Sequence, residues 1–181
     1  MAAIDVLRAA KNAFLWLAIA AIGLHLVAFA VVFSTSDDAD GVGSWSDRFD
    51  QSLTMAGFVA RAGVFVVNGI FVMSLLVCLS ARMGGAAALA RSAVSALAAL
   101  AMVTPWINAS ESASFTTALY GSTDIYRAVG GDSALGFIGF VRFGVCPVIV
   151  ILLMLFAQWN YRLAYRKMTL SPAGRLPIHE V

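Results

Sequence analysis

Aspartate and glutamate are missing from every long apolar stretch of this chain: residues 6–36, 51–110 and 133–179 contain neither. That absence argues against a proton-coupled transporter, which works through buried carboxylate relays. Charge is scarce throughout, at 12% of the 181 residues against about 25% in a soluble domain. There are only two cysteines. Cys78 and Cys146 fall in different apolar stretches toward opposite faces, with no C-x-x-C, so neither a stapled loop nor a thiolate metal site is expected. The two histidines are His25 and His179, the latter in the C-terminal tail. One histidine within the apolar segments excludes a bis-histidine haem and a di-metal site inside a single chain. No phosphate-binding loop, nucleophile elbow or H-E-x-x-H pattern occurs. Nor is there a basic run of the kind nucleic-acid binding requires. The chain reads as no enzyme and as having no nucleic-acid partner.

What is present in abundance is apolar surface: 61% of residues are hydrophobic and the mean hydropathy is +0.87. A bilayer core about 30 Å thick takes about 20 mostly apolar residues per helix. Four stretches satisfy this, at about 12–33, 56–80, 84–106 and 134–158. The first is too long for a signal-peptide core and lacks a small-residue cleavage site, so it is read as a retained span. The expected fold is therefore an all-α integral membrane protein, a four-transmembrane-helix bundle forming one membrane domain over 1–181. Outer loops at 34–55 and 107–133 are acidic, and the tail at 159–181 is basic.

Charge sorting sets the expected orientation. Arg8, Lys11, Arg82, Arg162, Arg166, Lys167 and Arg175 share one side with only Asp5 and Glu180, a balance of +5. The other side carries Asp37, Asp38, Asp40, Asp47, Asp50, Glu111, Asp124 and Asp132 against Arg48 and Arg127, a balance of −6. Lysine and arginine accumulate on the cytoplasmic side, which places both termini in the cytoplasm or its organellar equivalent. Arg162, Arg166 and Lys167, just past the fourth span, are expected to meet anionic headgroups. The membrane is a bacterial cytoplasmic membrane or an organellar or other eukaryotic one.

Local patterns refine this plan. Ser46 is placed to cap a helix in SWSDRFDQSLTMA, with Asp47 and Asp50 in its first turn, and that helix runs into the second span. Spans two and three are joined only by residues 80–85, which forces an antiparallel hairpin. In span three Ala88, Ser92 and Ala96 recur every four residues, a face that lets another backbone approach closely, within the bundle or between copies. The second outer loop, with SASFTTALYG and STDIYRAVGG, predicts two short helices over the mouth of the bundle. Trp106 and Trp159 suit opposite membrane boundaries. Pro147, near the middle of span four, predicts a kink.

The candidate site residues are charges in costly places. Arg61, Arg91 and Arg142 lie inside apolar segments, where an arginine costs roughly 2.5–3.5 kcal/mol on insertion scales unless it is paired or snorkels to water. Arg61 and Asn68 share one face of span two, and Arg142 lies in the outer half of span four. Arg61 and Arg142 could therefore converge on an anion, a lipid phosphate or a cofactor's carboxylate, or pair separately with loop carboxylates such as Asp50, Asp124 or Asp132. Arg91 lies close enough to the cytoplasmic interface to snorkel. His25 could supply a single axial ligand to chlorophyll or haem, or be a hydrogen-bonded packing residue.

In topology alone, with both termini inside and a tight loop between spans two and three, the chain resembles the plan of MARVEL-type and claudin-like tetraspans. It departs from the claudin pattern at Trp45, which sits in GVGSWSD without the Gly-Leu-Trp and paired cysteines. The leading functional expectation is a non-catalytic accessory subunit of a larger respiratory, photosynthetic or transport complex, binding lipids and partner helices. The alternatives are a self-assembling tetraspan that organises membrane or forms an anion-selective pore, and a pigment- or haem-binding protein using His25.

Overall fold

The computed structural model describes residues 2–35, 46–80, 84–104, 137 and 140–170. The expected helices within 107–133, Trp106, the acidic loop residues 37–40 and the tail beyond 170 lie outside the described residues. Four α-helices account for almost everything described: α1 Ala2–Thr35, α2 Ser46–Ser80, α3 Ala86–Val103 and α4 Cys146–Leu170. A π-helical turn, Val141–Val145, leads into α4. Each helix contains a stretch long and apolar enough to cross a membrane: Arg8–Val31, Gln51–Ser80, Ala86–Val103 and Val141–Lys167. The segment from Ser46 does run without a break into the second of these.

The contacts between helices define an up-down-up-down bundle. Gly63 of α2 meets Phe14 and Ala18 of α1, and Gly57 meets His25, so α1 and α2 are antiparallel. Lys11 meets Gln158, while Phe29 meets Phe143 and Gly144, so α1 and α4 are antiparallel too. Gly85, at the start of α3, abuts Ala164 near the end of α4. Packing runs around the ring α1–α2–α3–α4–α1. The start of α1, the end of α2, the start of α3 and the end of α4 therefore share one end, called here the basic end for Arg8, Lys11, Arg162, Arg166 and Lys167. The opposite, acidic end is where segments 36–45 and 105–136 depart.

Small residues make this packing possible where lipid supplies no hydrophobic drive between helices. The centre is Leu15, Ala18, Ile22, Ala60, Val64, Val67, Phe71, Ala96, Ala99, Val150, Met154 and Ala157, all buried. Large apolar side chains such as Trp16, Phe58, Phe65, Leu76, Leu152 and Trp159 point outward. This inversion of the soluble pattern is what a bilayer tolerates. A Cβ added at Gly63 would lie 2.9 Å from Ala18 Cβ and 3.0 Å from the Phe14 carbonyl oxygen. Gly63→Leu is accordingly expected to push α1 from α2 and cost about 1–3 kcal/mol, seen as a lower thermal midpoint in detergent. An unchanged midpoint would mean that the seam is looser than described.

The fourth span adds a longer helix and a wider turn to the plan expected from the sequence. Its helix runs on to Leu170, and Trp159 lies on the outward face of that helix. Pro147 is the second residue of α4, directly after the π turn. Proline cannot donate to the carbonyl four residues back, and its ring crowds that carbonyl. The wider π turn relieves this: the Cys146 N–H bonds to the Val141 carbonyl, five residues back. The irregularity therefore sits upstream of the proline, at the acidic end.

Candidate functional site

The polar side chains of the bundle fall into three groups. The first lies at the acidic end, on the α1–α2 seam. His25 is 3% exposed and its Nδ1 pairs with the Ala21 carbonyl at 2.9 Å, a local bond within α1. Its Nε2 faces α2, where it makes no bond of acceptable geometry. A Cβ added at Gly57 would stand 3.6 Å from that nitrogen and 3.9 Å from an Arg61 guanidinium nitrogen. Glycine at 57 thus makes room for an imidazole and a guanidinium side by side. Asn68, two turns along from Arg61, has its Oδ1 buried without a hydrogen-bond donor.

Arg142 stands on the π turn, its guanidinium 5.5 Å from the centre of the Phe143 ring. Phe143 in turn stacks on Phe29 of α1 at 6.1 Å. Since Gly57 lies against His25 and Gly144 against Phe29, the backbones of Arg61 and Arg142 are offset by roughly 15 Å along the bundle axis at 1.5 Å per residue. Arg61 and His25 thus both border Gly57 on the α1–α2 seam, and Arg142 lies beside the Phe29–Phe143 stack between α1 and the π turn. Among the described residues, no three His, Cys, Asp or Glu side chains gather as a metal site, and both cysteines are free thiols.

The second group is on α3. Ala88, Ser92 and Ala96 are buried inside the bundle, and the Ser92 hydroxyl donates to the Ala88 carbonyl at 3.1 Å. Ser95 donates likewise to the Arg91 carbonyl at 2.8 Å. These back-bonds satisfy the hydroxyls where there is no water. Arg91 lies on the opposite face, exposed, in a row with Ala87, Val94, Ala98 and Ala101. Their spacing of four, three, four and three residues is that of a helix-packing seam.

The third group, at the basic end, is the one that sequence reasoning missed. Lys11 is 1% exposed and is sealed between α1, α2 and α4. Its ammonium donates to Gln158 Oε1 and lies 4.2 Å from the centre of the Tyr161 ring and 5.9 Å from that of Phe71. Gln158 is oriented by its other atom, since Nε2 donates to Asn12 Oδ1 at 3.1 Å. One turn toward the terminus, the Arg8 guanidinium lies 5.2 Å from the centre of the Tyr165 ring. A signal was present: Gln158, Tyr161 and Tyr165 share one face of a helix, and Arg8, Lys11 and Asn12 share one face of another.

No family model, curated protein or solved structure matches this chain. Its function has to be argued from these three groups.

Proposed function

We propose that this chain is a non-catalytic accessory subunit of a larger membrane assembly, docking through the outward face of α3. The observation that carries the reading is Arg91. It projects from an apolar helix between Val94, 65% exposed, and Ala87, and the chain's spans contain no carboxylate to meet it. An arginine so placed calls for an anion from outside the bundle or for water at the nearby interface. Its neighbours support the former: Ala87, Ala98 and Ala101 keep the face shallow, so a partner helix can lie close along it. A carboxylate on that helix would make a charge-assisted bond to the guanidinium. The same seam suits a second copy of this chain poorly, because a two-fold pairing would bring Arg91 near its own equivalent. In this reading the bundle sits in the bilayer with its basic end in the cytoplasm, as the lysine and arginine count indicates.

The test is the composition of the particle extracted gently from its own membrane. Wild-type protein is expected at fixed stoichiometry with different, larger subunits, and Arg91→Leu is expected to release it while remaining folded. A particle containing only this chain would end the proposal and favour a self-assembling tetraspan.

A further inference from the structure

The cluster at the basic end has a charge problem whose solution names a ligand. Lys11 cannot leave its place, because Gln158, Tyr161 and Phe71 enclose it, and Asn12 holds the amide of Gln158 with its oxygen toward the ammonium. Arg8 precedes Lys11 by one turn of α1, and Arg162 follows its partner Gln158 by one turn of α4, so both stand on the faces that meet around Lys11. Arg166 and Lys167 extend the same surface by one more turn of α4, and all four of these outer cations are exposed. Against them α1 carries one carboxylate, Asp5, and α4 carries none. Several cations are therefore gathered at the mouth of the α1–α4 seam around one that is immobilised.

Two details give this surface the form of an anion site. Arg8 presents the Tyr165 ring with its guanidinium, an arrangement that restrains the side chain and leaves N–H donors for an acceptor. The apolar stretches of α1 and α4 end at Arg8 and Lys167, so a bilayer spanned by them would bring its phosphates to these cations. We infer that Arg8 and Arg162, backed by the fixed charge of Lys11, bind a phosphate-class anion at the α1–α4 seam, presented by an anionic membrane lipid. The lipid's chains would lie against the exposed apolar side chains of α4 below it. This site is separate from the α3 face and does not depend on the accessory-subunit reading.

Binding can be read by native mass spectrometry of the full-length protein in neutral detergent, with phosphatidylglycerol, phosphatidylcholine or inorganic phosphate added. Wild-type protein is expected to prefer phosphatidylglycerol over phosphatidylcholine by about tenfold. The preference should fall to about onefold in R8Q/R162Q and persist in R48Q, which removes a charge at the opposite end of the bundle. Should the double variant fail to fold, R162Q alone alters an exposed side chain and is expected to reduce the preference by at least about threefold. Equal retention of the two lipids by wild-type protein, or a preference that survives in both variants, would overturn the site. Inorganic phosphate competing as strongly as phosphatidylglycerol would overturn the lipid as its source.

Discussion

Gln158→Leu is expected to destabilise the bundle by about 2–3 kcal/mol, the range for a hydrogen bond to a charged group lost in a buried place. Among the described residues, the leucine removes the oxygen that accepts from Lys11 Nζ and leaves the ammonium among Phe71, Tyr161 and an aliphatic chain. Removing the charge itself should be gentler, because an apolar replacement of a buried ion is often neutral or better. Lys11→Met is thus expected to cost under about 1.5 kcal/mol, chiefly for the Gln158 oxygen left without its donor. The double variant K11M/Q158L should return to within about 1 kcal/mol of wild type, a strong positive coupling in a double-mutant cycle. Denaturant unfolding in detergent micelles gives all four stabilities. Additive effects, or a Gln158→Leu protein as stable as wild type, would show that Lys11 reaches water by another route.

The second large effect is expected at Gly85, in the tight connection between α2 and α3. Its φ of +102° is a conformation that residues with a Cβ adopt only under strain. A Cβ there would also stand 2.9 Å from the Ala164 carbonyl oxygen of α4, a backbone atom that cannot swing away. The Gly85 carbonyl accepts from the Ala88 and Leu89 N–H groups at 3.0 and 3.1 Å, so the same residue starts α3. Gly85→Ala is expected to lower stability by about 2–3 kcal/mol, combining backbone strain with displacement of α4. Gly69 supplies the contrast, since it is helical and exposed and a Cβ there would meet nothing within 4 Å. Gly69→Ala should be neutral or stabilise by up to about 1 kcal/mol through helix propensity. Equal thermal midpoints for the two variants would refute the close approach of α3's start to α4.

Much of the architecture was legible in the residues alone. Hydropathy over windows of helical length marked four spans, and the few residues between the second and third required an antiparallel hairpin. The continuity of Ser46–Ser80 followed from helix-start chemistry feeding an apolar run. The fourth span was less legible. Hydropathy measures apolar content and not helix length or contacts, so it did not mark that α4 continues to Leu170 or that Gln158 and Tyr161 meet Lys11 of α1. Pro147 was a visible irregularity, but whether the helix answers it with a kink or with a wider turn upstream depends on which backbone groups can still find partners.

The site residues divide along the same line. Arg61, Arg91 and Arg142 stood out because a charge in an apolar run is conspicuous in one dimension. Lys11 did not, since it borders a span and reads as an ordinary flanking residue. Its burial comes from Phe71, Gln158 and Tyr161, which are distant in the chain and brought together by two antiparallel packings. That His25 and Arg61 border the same glycine likewise needed Gly57 to lie opposite His25, which no spacing within one helix could reveal.

Composition by itself determined that this chain makes four membrane-length helices and that its charges sort to two ends, because the cost of placing polar groups in hydrocarbon acts on each segment separately. Only the tertiary structure decided which faces meet. Helix association depends on the fit of particular small and large side chains across a seam, as at Gly63 against Ala18, and that fit belongs to pairs of helices rather than to any one of them.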